Sequence, residues 1–181
     1  MKKKLSRILI VIAAMTMMLG MMTITASAKT IKPKKNDFTT AAAKAAKKST
    51  TVKKGNYTII VPKTKKSSYG SFFLKFTAPS TKTYTFTISG LVPESGDNYC
   101  NGHGYVMVGS KYSSSSITMA TVKTEGGKNS SLYYSCKDPD SYSSKIYAYL
   151  KKRSAKIKLN AGQTVYLYCY SSADRLNYSI K

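Results

Sequence analysis

Phe72-Phe73-Leu74-Lys75-Phe76-Thr77-Ala78-Pro79-Ser80-Thr81-Lys82-Thr83-Tyr84-Thr85-Phe86-Thr87-Ile88-Ser89-Gly90 alternates large apolar residues with polar ones on both sides of a short turn. Phe72, Leu74 and Phe76 fall on one side of an extended chain, as do Tyr84, Phe86 and Ile88 on the next. Side chains of a strand point alternately to opposite faces, so a period of two means a strand with one buried face. Ala78 to Lys82, with Pro79, turns the chain, and Gly90 is expected to end the second strand. The supply of Thr, Tyr, Phe and Ile favours strands over helices.

The same pattern extends outward. Tyr57-Thr58-Ile59-Ile60-Val61 predicts a strand stopped by Pro62, and Leu91 to Gly104 predicts a loop. Further strands are expected over 104–109, 117–122, 132–136, 146–150 and 155–159, with a last one at Asn177-Tyr178-Ser179-Ile180. Residues 111–116 and 125–130 are expected as exposed loops, Asp138-Pro139-Asp140 as a turn, and Asn160-Ala161-Gly162-Gln163 as a tight connection. Val165, Leu167 and Cys169 share one face of a strand, with Tyr166, Tyr168 and Tyr170 on the other. About eight to ten short strands with turn signals between them predict an all-β fold, an antiparallel β-sandwich of jelly-roll-like form, over residues 56–181.

Two segments precede it. Lys2, Lys3, Lys4 and Arg7 come before an uncharged run from Ile8 to Ala28 that ends in Ala26-Ser27-Ala28. A basic start, an apolar run and a small-residue site describe a secretory signal peptide over residues 1–28, cleaved after Ala28. The competing expectation is an uncleaved anchor, weakened by Thr16, Thr23 and Thr25 in the run. The processed protein is therefore expected outside the cell, of bacterial type, with no stable membrane anchor. Residues 29–55 hold nine Lys and one Asp, and Ile31, Phe38 and Val52 are their only larger apolar residues. They are expected as a disordered or loosely helical basic leader, with Lys34, Lys35, Lys44, Lys47 and Lys48 supplying charge.

All fifteen Tyr lie beyond residue 28, while six of the eight Met lie before it. Without the four basic residues at the start, the net charge falls from +23 to +19. Such a charge attracts anionic partners. Outside a cell these are wall polymers and acidic polysaccharides more than nucleic acid.

Two stretches resemble the bacterial pre-peptidase C-terminal domain family of small secreted β-sandwiches. One is the run from Phe72 to Gly90. The other is Ile157-Lys158-Leu159-Asn160-Ala161-Gly162-Gln163-Thr164-Val165-Tyr166-Leu167-Tyr168, similar to a late hairpin of that family. Leu176-Asn177-Tyr178-Ser179-Ile180 resembles the family's last strand. Lys82 stands where a Gly often precedes the Thr-Tyr strand, and the strand at 104–108 lacks an Asp that the family often carries. The resemblance implies a non-catalytic accessory domain, of a kind that in some relatives binds matrix or carbohydrate.

The chemistry-bearing residues are few. Cys100, Cys136 and Cys169 allow three single pairings in an exported chain. Cys100–Cys136 is preferred, since Cys169 lies on the apolar face with Val165 and Leu167. His103 is the only His, and with Cys100 and Cys136 it falls short of the four ligands of a structural zinc site. Asp97, Asp138 and Asp140 are too few for calcium. No metal, cofactor or catalytic centre is expected. The binding residues expected are Tyr166, Tyr168 and Tyr170 on one strand and Tyr147 and Tyr149 on another, flanked by Lys145, Lys151 and Lys152. If they do not form an open platform, these Tyr fill a second half of the core or a dimer contact. The expected function is a secreted, non-catalytic binding or adhesion module, held near anionic cell-wall polymer and contacting polysaccharide or an extracellular protein. The rivals are a small hydrolase using Cys136 and His103, and a cationic membrane-active protein.

Overall fold

The fold is described from a computed structural model, which covers residues 27–95, 100–125, 127–129, 131–135 and 152–181. Residues 1–26 of the expected signal segment, Cys136, Tyr147, Tyr149, Lys145 and Lys151 lie outside the described residues.

Two sheets pack face to face as an all-β sandwich. In chain order the elements are β1 (Lys29–Ile31), α1 (Ala42–Lys48), β2 (Thr50–Val52), β3 (Gly55–Ile60), β4 (Gly70–Thr77) and β5 (Lys82–Val92). They continue as β6 (Asn101–Gly109), β7 (Ile117–Met119), β8 (Val122–Thr124), β9 (Gly127–Asn129), β10 (Leu132–Ser135), β11 (Lys152–Leu159), β12 (Thr164–Ser171) and β13 (Arg175–Ile180). One sheet has seven strands in the order β1-β3-β13-β5-β11-β8-β9. The other runs β10-β6-β12-β4-β2, with β7 also on β6.

The alternating runs place the core as expected. Phe72, Leu74 and Phe76 of β4 and Val165, Leu167 and Cys169 of β12 meet Tyr84, Phe86 and Ile88 of β5 and Leu176, Tyr178 and Ile180 of β13, all buried. At Gly104 the sheets approach so closely that a Cβ there would stand 2.8 Å from Ile88 Cδ1. A side chain there would force the end of Ile88 to shift.

Several expectations are corrected. Gly90 does not end β5, because its φ of +56° lets the strand bend and run on to Val92. Part of the loop expected at 125–130 is β9, paired with β8. The run at 117–122 divides into β7 and β8, which belong to different sheets. Nor does the stretch at 157–168 make a hairpin. Like the Phe72–Gly90 run, it crosses from one sheet to the other, since β4 and β12 lie in one sheet and β5 and β11 in the other. The two crossings hold each other at one end of the sandwich. Ala78 N–H donates to Gln163 O at 2.9 Å, Gly162 N–H to Ala78 O at 2.8 Å, and Ala161 N–H to Thr81 Oγ1 at 2.9 Å.

The largest correction concerns residues 29–55, which are built into both sheets. β1 pairs in parallel with β3 at one edge, and β2 in parallel with β4 at another, which makes the sheets mixed. Ile31 packs against the main core and Val52 enters it. Between them the chain crosses the outer face of the six-stranded sheet as a strap. Asn36 N–H donates to Ser71 O at 2.9 Å, Ala42 N–H to Ser115 O at 2.9 Å, and Ile117 N–H to Thr40 O at 2.7 Å. The charge run does not make a free tether here, because its lysines point outward while Pro33, Asn36, Ala45 and Val52 are buried.

Candidate functional site

A groove of about 450 Å³ lies on the outer face of the six-stranded sheet, lined by Phe38, His103, Tyr105, Met119, Tyr168 and Tyr170. Strand register builds it. Tyr168 of β12 sits opposite Tyr105 of β6 and Phe73 of β4, and Tyr170 opposite His103 and Ser71. Met119 of β7 sits opposite Met107. The strap brings Phe38 over this row, edge-on to Tyr168 at 5.3 Å and to Tyr105 at 6.2 Å between ring centroids. Both are favoured aromatic geometries.

Burial is graded along the face. Phe73, Met107, Ala45, Ile117 and Tyr168 form a small second core beneath α1 and the strap. Tyr166 and Tyr105 are half-buried against it. Tyr170, Phe38 and Met119 remain exposed at 39%, 46% and 44%. The three Tyr of β12 therefore do not form one open platform. Tyr168 is core, Tyr166 flanks it, and Tyr170 opens to solvent. Tyr170 is held flat by Tyr69, stacked at 4.6 Å with the planes 9° apart. Tyr69 OH in turn donates to Asn101 Oδ1 at 2.9 Å.

Polar groups at the rim are fixed. His103 Nδ1 lies 3.3 Å from Ser131 Oγ, and its ring stacks near Tyr105. Burial holds the His103 pKa below its usual value, so the ring is neutral at pH 7. Ser71 Oγ donates to Asp37 Oδ1 at 3.2 Å. Burial pushes the Tyr168 phenol up to about 12, against the opposing hydrogen bond with Ser71.

Lys152, expected beside the Tyr face, belongs instead to β11 of the opposite sheet, because β11 pairs with β5 and not with β12. Lys34, Lys35, Lys44, Lys47 and Lys48 are exposed on the strap, with Lys35 Nζ 3.8 Å from Asp37. Cys100 and Cys169 are both buried, and desolvation pushes the Cys169 thiol far up, away from thiolate chemistry. Among the described residues no group of three or more His, Cys, Asp or Glu is arranged to hold a metal. No described helix is long and apolar enough to cross a membrane.

Phe38, His103, Tyr105 and Met119 went unrecognised as groove residues from the sequence. The one available signal was Phe38, a large aromatic residue within a lysine-rich run. No protein-family model matches the chain, and no curated protein matches it.

Proposed function

We propose that this chain is an exported, non-catalytic binding module whose aromatic groove seats the ring of a polysaccharide, and whose positive charge holds it near anionic polymers of a cell surface. The observation that supports it is the groove itself. Its volume and largely apolar lining suit a small-ligand site. Its open rings, Tyr170 and Phe38, are held in place by Tyr69 and Tyr168, so little freedom is lost when they meet a ligand. The signal-like first 28 residues support export, and the resemblance to pre-peptidase C-terminal domains supports an accessory role.

The test is retention of residues 29–181 on insoluble cell wall and polysaccharide. Tyr170→Ala and Phe38→Ala each remove an exposed ring and should weaken retention about tenfold, in variants that remain folded by circular dichroism. That part of the retention should persist in about 0.5 M salt, where exposed charges are screened. Undiminished retention of both variants would exclude the groove as the contact.

A further inference from the structure

The outer face of the seven-stranded sheet is the chemical opposite of the aromatic groove. A shallow depression of about 760 Å³ there is lined by hydroxyl, amide and ammonium groups, among them Thr85, Thr87, Ser154, Asn177, Lys156 and Lys181. Strand register aligns the charges. Lys123 of β8 lies directly opposite Lys156 of β11 on one side and Lys128 of β9 on the other. Lys156 lies opposite Thr85 of β5. Thr85 exchanges backbone hydrogen bonds with Lys181 at 3.0 and 3.2 Å. One row across five strands thus reads Lys128, Lys123, Lys156, Thr85, Lys181. With neighbouring strands about 4.8 Å apart, Lys156 and Lys181 flank Thr85 at a backbone separation of about 10 Å. Lys152 adds a further charge on the same face.

Like charges directly opposite one another in a sheet are destabilising. Here three lysines in succession face each other, and none of the ion pairs among the described residues involves them. Glu125, on the same face, is held by the Ser154 hydroxyl and backbone and by the charge of Arg153. Among the described residues this face therefore carries an excess of positive charge, with Glu125 its one side-chain carboxylate beside Lys123, Lys152 and Lys156, interleaved with groups that hydrogen-bond to hydroxyls. The two aromatic residues that line it, Tyr57 and Tyr178, are buried at 8% and 2% exposure, so it offers no open ring for bases to stack on.

We propose that this face is a second binding site, for a linear anionic polysaccharide. Lys123, Lys128, Lys156 and Lys181 contact its anionic groups, and Thr85, Thr87, Ser154 and Asn177 contact its hydroxyls. The site is independent of the groove, which lies on the other side of the sandwich.

Isothermal titration of residues 29–181 with polygalacturonate, neutral dextran and single-stranded DNA tests it. Polygalacturonate should bind, dextran should not, and DNA should compete weakly. The double variant Lys123→Gln/Lys156→Gln should lose about tenfold in affinity for polygalacturonate, about 1.4 kcal/mol. The double variant Lys34→Gln/Lys35→Gln removes the same charge from the strap and should bind within about twofold of the parent. Tyr170→Ala should bind polygalacturonate like the parent, which separates this site from the groove. Equal losses in the two lysine variants would reduce the effect to net charge and overturn the proposal. So would DNA competing as well as polygalacturonate, or no binding of polygalacturonate by the parent.

Discussion

Tyr168 and Tyr178 both keep their phenols protonated well past the usual range. Burial raises Tyr168 to about 12 and holds Tyr178 well above its usual value. An unfolded chain loses these protons near pH 10, while the fold retains them. The unfolded state then binds fewer protons, so stability is constant below about pH 10 and falls as pH rises through that value. Lys63 acts in the same direction. Burial works to lower its pKa, but contacts with Asp174 at 2.7 Å and Glu94 at 3.2 Å outweigh burial and raise it. Its contribution is complete below about pH 10.5 and is lost above the raised value. Denaturant midpoints measured from about pH 8 to 12 should show this decline. Tyr168→Phe should flatten it, and an unchanged slope in that variant would mean that Tyr168 ionises freely in the fold.

At the scale of elements, the strap decides most. Val52 adds to the core, Ala45 and Phe38 cover Phe73 and Tyr168, and β2 completes the edge beside β4. A chain starting at residue 56 should lose at least about 3 kcal/mol of apolar burial, which lowers the melting temperature by about 10 °C. Its uncovered β4 edge should also promote self-association, visible by light scattering. An equally stable, monomeric truncation would return residues 29–55 to the status of a tether. The alternating runs of β4, β5 and β12 were legible because burial in a strand has two values and a period of two records them. The strap was not legible, because Ile31, Phe38 and Val52 are spaced too far apart to show any period. The groove was hidden for a related reason: its six residues come from four separate stretches of chain that only strand pairing brings together. The lysine row was equally hidden, since cross-strand register appears nowhere in local sequence.

For the whole molecule, charge is the governing quantity. Thirty Lys and Arg against seven acidic residues, a formal net charge of +23, imply repulsion in the folded state. Added sodium chloride should therefore raise the melting temperature up to about 0.5 M, by screening lysines such as Lys123, Lys128 and Lys156. A melting temperature that falls over that range would mean that the few ion pairs, led by Lys63–Asp174, outweigh the repulsion.

Strand order also carries a consequence for when the chain can fold. β13 sits inside the seven-stranded sheet, between β3 and β5, so the residues it joins, such as Thr58 and Asn177, are more than a hundred positions apart. Until residues 175–180 have been synthesised, β3 and β5 have no shared neighbour and β1 has only an unsupported strand to pair with. Loops of that length close slowly. The seven-stranded sheet therefore closes late, and the segments before residue 175 stay without their shared neighbour until β13 reaches them.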